Sequence, residues 1–132
     1  MPFCWKRFIQ QAIQPTPRTK KFKTALGADE SVTSRHFKDA PEAITDLKLQ
    51  GYKVLAIEQA QNSHQLHQFT LEKGEKLAVV FGNEVTGVDQ STILLCDGCI
   101  EIPQLGMKHS LNISVAAGIV LWELVRTRIL KD

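Results

Sequence analysis

Apolar residues in this chain form short runs separated by polar punctuation. Residues 53–58 (KVLAIE) and 76–81 (KLAVVF) read as strands, each closed by a turn signal. The unbroken apolar run of the second predicts a strand covered on both faces. Residues 99–102 predict a third, shorter strand. Asp39-Ala40-Pro41-Glu42 opens a helix: Asp39 can cap, Pro41 is tolerated in the first turn, and Glu42 stands at capping-box spacing. Ile44 and Leu47 give that helix its buried stripe, and Gly51 stops it. Asp89 is expected to cap a short helix containing Ile93, Leu94 and Leu95. The last helix is expected from about Asn112 to the C-terminus. Its first half, SVAAGIVLW, is apolar nearly all round, which predicts burial on several sides.

Strands alternating with helices define an α/β class: a parallel sheet with helices on both faces. Length favours one domain over residues 1–132. Residues 1–12 are an atypical N-terminal segment. Phe3, Trp5, Phe8, Ile9 and Ile13 follow no clean period, and Pro15 and Pro17 break any regular element beyond them.

Composition adds limits. Hydrophobic residues make up 43% of the chain, enough for a real core, and the formal net charge is only +2. Two basic groups stand out, Arg18, Lys20, Lys21 and Lys23, and then Arg126, Arg128 and Lys131. Phosphate contact is one use for them, and a solvated charged surface is the simpler one. Three cysteines, an odd number, argue against a disulfide framework and fit a reducing compartment. No apolar run nears the ~20 residues that span a bilayer, and the start lacks a signal-peptide core. A cytoplasmic protein without a membrane partner is the expectation.

Two constellations carry candidate chemistry. In residues 81–88 (FGNEVTGV), Gly82 lets the backbone turn or approach a ligand. Asn83 and Glu84 follow at the carboxyl end of a parallel strand, where open α/β sheets bind ligands, and Gly87 adds a second permissive position. In residues 102–118 (IPQLGMKHSLNISVAAG), Pro103 follows the strand end at Ile102, Gly106 bends the loop, and Ser110 and Asn112 flank Leu111 at a helix start. Ser110 is a candidate N-cap. The loop also returns polar side chains and free N–H groups to the same sheet edge, an arrangement suited to a small polar ligand.

Other signals are weak. Cys96-Asp97-Gly98-Cys99 follows a helix, whereas redox CxxC pairs open one, and zinc needs more ligands at matching spacing. No metal site is expected. His64 and His67 have no third ligand beside them. His109 is notable only for adjoining Ser110. Trp122 fits a core or a dimer interface.

With their order and separation, VFGNEVTGV and IEIPQLGMKHSLNISVAAGIVLWE resemble the second and third motifs of the SpoU branch of the SPOUT RNA methyltransferases, the TrmH-type 2′-O-methyltransferases. PTP at 15–17, KTALGADESV at 23–32 and GYKVLAIEQA at 51–60 resemble the linking part of that domain, so the resemblance runs from about Ile13 to Leu124. It implies a C-terminal deep trefoil knot holding the methyl donor S-adenosyl-L-methionine. Gly82, Ile102 and Leu111 would line the donor pocket, with Ala56, Ile57, Glu58, Phe81 and Gln104 near. Asn83, Gly87 and Pro103 belong to the same strand ends and loops. Glu84, Ser110 and Asn112 match polar positions near the transferred methyl and the RNA ribose. The implied activity is methyl transfer to a ribose 2′-hydroxyl of tRNA or rRNA, by a homodimer.

The family's first motif, which carries an Asn, a Gly and an Arg that assists the ribose hydroxyl, has no counterpart in the 14 residues before Pro15. Arg7 stands in a different context and Arg18 lies past the motif's place. The resemblance therefore also implies a sheet short of its first strand and covering helix. It leaves a second reading open: a donor- or RNA-binding homologue, or a truncated enzyme, without catalysis.

Overall fold

The computed structural model describes residues 35–72, 74–83, 86–106 and 111–129. The chain divides into two compact units, residues 1–43 and 44–132. Expectations about residues 1–34, including the atypical start and the first motif, lie outside the described residues.

In the first unit, Asp39 caps as expected: its Oδ1 accepts the Glu42 N–H at 2.9 Å. Glu42 reaches back one residue further than a capping box requires, accepting the Lys38 N–H at 3.0 Å. Helix α1 (Ala40–Leu49) starts there. It ends in a Schellman motif, with Tyr52 N–H donating to Leu47 O and Gly51 N–H to Lys48 O, both at 3.0 Å. Gly51 takes the left-handed φ of 85° that this ending requires and that glycine adopts without strain.

The second unit is built on four parallel strands: β1 (Lys53–Ile57), β2 (His64–Gln65), β3 (Leu77–Phe81) and β4 (Gly98–Glu101). Their order in the sheet is β2-β4-β1-β3. Helices α2 (Gln90–Leu95) and α3 (Ile113–Ile129) complete it, with a 3-10 turn at Leu66–Gln68. Side chains alternate across the pleat. Leu55 and Ile100 join Leu66, Val120 and Leu124 on the face that packs α3. Ala56 and Cys99 join Val88 on the other face, with Ile93 of α2 against them. Helices on both faces of a parallel sheet is the arrangement the strand–helix alternation predicts.

Three expectations are corrected. β3 is not covered on both faces; all five residues are half-buried, because it is an end strand among the described residues. The central strand is β1, whose Val54, Leu55 and Ala56 are buried. Asp89 does not cap α2 through its side chain; only its carbonyl accepts, from Ile93 N–H at 2.9 Å. Nor is α3 buried on several sides. Val120 and Leu124 are buried, while Val115, Ile119 and Trp122 are 51%, 39% and 65% exposed. Spacings of four and three residues put these last three on one helical face.

Candidate functional site

Register creates the site. Ile57 of β1 pairs with Phe81 of β3 and with Ile100 of β4, so the three strands end together. Glu58, Gly82 and Ile102 therefore leave the sheet at one edge, and the Glu58 N–H extends the ladder to Ile100 O at 3.1 Å. Beyond that edge opens a cleft of about 320 Å³, at the lower end of the range for small-ligand sites.

Gly82, Asn83, Thr86 and Gly87 supply one wall, in a turn that closes on itself. Asn83 N–H donates to Gly87 O at 3.2 Å, and Gly87 N–H returns to Asn83 O at 3.0 Å. The Asn83 Oδ1 accepts the Thr86 N–H at 2.9 Å. Gly82 lies so close to the Gly87–Val88 peptide that a Cβ would overlap backbone atoms. Gly87 has φ 70°, and a Cβ there would fall on the Glu58 carboxylate. Both glycines are thus required by geometry. Ile102, Gln104 and Leu111 supply the facing wall, together with Ile113 and Ala116 from the start of α3.

Of the residues singled out in the sequence, Ile57, Glu58, Phe81, Gly82, Asn83, Gly87, Ile102, Gln104 and Leu111 line this cleft. Ala56 does not: it is fully buried on the α2 face with Val88 and Cys99, because the pleat turns it away. Pro103 is not among the lining residues. Glu84 and Ser110 lie outside the described residues. Asn112 forms the N-cap of α3, the role expected for Ser110. Its Oδ1 accepts the Ser114 N–H at 2.8 Å, and its carbonyl accepts the Ala116 N–H at 2.9 Å. The cap uses the carboxamide oxygen and leaves the Nδ2 donors to other work. Gln59, Thr86, Ile113 and Ala116 line the cleft without having been singled out. Gln59 and Thr86 sit inside quoted motifs, so their neighbours were the available signal. Ile113 and Ala116 follow once the helix start is known.

The Cys96–Cys99 segment serves the sheet rather than chemistry. Asp97 Oδ2 accepts the Val54 N–H at 2.8 Å while Asp97 N–H donates to Val54 O at 2.7 Å, which starts the β1–β4 pairing. Cys96 Sγ donates to Thr92 O at 3.4 Å. Burial pushes the Cys96 thiol up to about 11, with Cys99 and Asp97 adding and Lys48 opposing. Burial also raises Cys99, with the Glu58 carboxylate adding. A raised thiol is protonated at pH 8, so Cys96 should hold roughly 200-fold less thiolate there than a free cysteine. Peptide-resolved iodoacetamide labelling should therefore be slow at pH 8 and rise about tenfold per pH unit up to pH 10; rapid labelling at pH 8 would contradict it. No group of three or more His, Cys, Asp or Glu among the described residues could hold a metal ion.

Comparison with known proteins places the chain in a family. The profile of the SpoU rRNA Methylase family matches residues 8–122, and the chain belongs to that family. It is 37% identical over 119 residues to the tRNA (guanosine(18)-2′-O)-methyltransferase of Thermus thermophilus, an alignment covering 89% of this chain and 60% of that protein. Among solved structures, the A. aeolicus TrmH/SpoU tRNA modifying enzyme matches with a TM-score of 0.80 at 25% identity, over 96% of this chain and 63% of that one. The SpoU methyltransferase AviRb from Streptomyces viridochromogenes, solved in complex with the cofactor AdoMet, shares the fold with a TM-score of 0.64 at 23% identity, over 75% of this chain and 38% of that one. The chain thus spans less than two thirds of the length of each of these proteins.

Proposed function

We propose that the cleft binds S-adenosyl-L-methionine and that the protein transfers its methyl group to a ribose 2′-hydroxyl of tRNA or rRNA. The observation that carries this reading is the convergence of Phe81, Gly82, Asn83, Thr86 and Gly87 with Ile102, Gln104, Leu111, Ile113 and Ala116, all from the two segments that resemble the family motifs, on one cleft at the carboxyl edge of the sheet. The lining suits such a donor. Ile57, Ile102, Leu111 and Ile113 offer apolar walls to a flat base, while Asn83, Thr86 and Gln104 offer polar groups to a ribose and an amino-acid tail. When bound, the donor supplies an electrophilic methyl carbon on a sulfonium.

The protein's part is to orient and to exclude water. A ribose hydroxyl is a weak nucleophile until its proton is accepted. Glu84, Ser110 and Asn112 are the polar side chains assigned to that end of the site. Asn112 is held by its capping bond, and a carboxamide would position the hydroxyl rather than deprotonate it. Placement of the hydroxyl in line with the methyl then supplies much of the rate.

The same reading makes the protein a cytoplasmic homodimer with a trefoil knot in its C-terminal part. The exposed apolar face of Val115, Ile119 and Trp122 supports a second copy against α3. Family membership supports the knot, as does a sheet in which no two neighbouring strands are consecutive in the chain. No helix among the described residues is long and apolar enough to cross a membrane.

Incubation of the purified chain with methyl-labelled donor and bulk tRNA or rRNA tests the reading. Label recovered as 2′-O-methylnucleoside is the expected result. Donor binding without incorporation would support the non-catalytic alternative, and neither binding nor incorporation by a folded protein would overturn both.

A further inference from the structure

The turn that Asn83 and Gly87 close carries glycines at 82 and 87 and bonds mainly to itself, so something must set its angle to the sheet. Two glycines give it no conformational stiffness of their own. Glu58 meets it from the end of β1. Its Oε2 accepts the Val88 N–H at 3.0 Å, and its Oε1 accepts the N–H of Gln59 at 3.2 Å. The same Oε2 lies against the Gly87 α-carbon on the side where any other residue would carry a Cβ. The glycine at 87 therefore does two things: it permits the left-handed φ and it clears room for the carboxylate. Glu58 itself is held at the sheet edge, because its N–H is part of the β1–β4 ladder. A charge-assisted bond from such a fixed point is about twice as strong as a neutral one.

We propose that Glu58 is a positioning residue, whose carboxylate holds the turn closed by Asn83 and Gly87 in the shape that forms one wall of the donor cleft. This rests on the reading of the cleft as a donor site and adds to it. Glu58 acts there through the turn, and its bond to Val88 exists before any ligand arrives. Loss of the carboxylate frees the Val88 N–H and lets the turn swing, so the cost falls on donor binding before it falls on the chemical step.

The test uses the full chain, with Glu58→Ala and Glu58→Gln. Amide exchange is followed by NMR without ligand, and S-adenosylmethionine binding by calorimetry. In Glu58→Ala, Val88 amide exchange should accelerate at least about tenfold while Leu55 and Ile100 in the core stay protected. Donor affinity should fall by roughly 10- to 100-fold, the range for losing a hydrogen bond to a charged group. Where methyl transfer is measurable, KM for the donor should carry the loss and kcat should change less than about threefold. Glu58→Gln keeps an oxygen acceptor and should restore Val88 protection and donor affinity to within about threefold.

Unchanged Val88 exchange and donor affinity in Glu58→Ala would overturn the proposal. So would a Glu58→Gln protein with normal Val88 protection but the full loss of affinity, since that pattern means direct charge contact with the ligand. A wild-type protein that binds no donor, in which Glu58→Ala still loosens Val88, would overturn the donor reading and with it the purpose assigned to the brace.

Discussion

Gly82→Ala should abolish binding of S-adenosylmethionine while leaving a folded protein. A Cβ at this position meets the carbonyl carbon and oxygen of Gly87 and the nitrogen of Val88. None of these can swing aside as a side chain would, because the peptide is tied by the paired Asn83 and Gly87 hydrogen bonds and by Glu58. Relief requires opening the turn, which moves one cleft wall. Overpacking of this kind costs about 1–3 kcal/mol. The turn lies at the rim of the unit, away from the Leu55–Ile100–Val120 cluster, so the melting temperature should fall only a few degrees. Donor affinity should drop at least ~100-fold, equivalent to about 2.7 kcal/mol. Calorimetry on a sample with native circular dichroism checks this, and affinity within about threefold of wild type would show that the turn does not shape the site.

The second large effect is expected at Trp122. Its side chain is 65% exposed on the face it shares with Val115 and Ile119. Large aromatic side chains in that situation mark association surfaces, and Gly118 on the same face, with open space where a Cβ would lie, lets a neighbouring helix approach closely. In a dimer joined through this face, Trp122→Glu places a charge within the contact. Central tryptophans at interfaces contribute roughly 2–4 kcal/mol or more, so the dimer should weaken at least ~30-fold. The monomer fold should be spared, because surface changes of this sort usually stay within about 0.5 kcal/mol. Light scattering across micromolar concentrations should find a dimeric wild type and a monomeric variant. A wild type that remains monomeric at the highest concentration would remove the dimer from the account.

What could be read from the chain follows from how locally each feature is determined. The strands of β1 and β3 were legible because their apolar runs are bounded by turn residues. α1 was legible at both ends, since Asp39 and Gly51 act within four residues of themselves. The burial of β3 and α3 was not legible. Both are apolar on every side, and such a run does not say which side finds a partner. Only strand order shows β3 at the end of the sheet, and only packing shows that α3 buries Val120 and Leu124 but not Trp122.

The same division holds at the site. Gly82, Asn83 and Gly87 declared themselves by type and by following a strand. Ile57, Ile102, Gln104 and Leu111 came from family resemblance, and the cleft gathers them with the glycines. Ala56 stands one step of the pleat before Ile57, so its side chain is buried on the opposite face, with Val88 and Cys99. The bond from Glu58 to Val88 joins residues 30 apart in sequence, and it exists only because parallel register ends β1 and β3 together. No local pattern encodes it. Ser110 and Asn112 are both good caps, so composition could not choose between them, and the structure gives the cap to Asn112.

We propose the cleft at the carboxyl edge of the sheet as the donor site. Titration of isotope-labelled protein with S-adenosylmethionine, followed by amide chemical shifts, tests it most directly. The account predicts saturable shifts at residues 57–59, 82–88 and 102–116, with none at Lys48, Tyr52, Lys53 and Asp97, which line a shallow hollow elsewhere on the surface. Shifts confined to that hollow, or no shifts from a folded protein at millimolar donor, would contradict it.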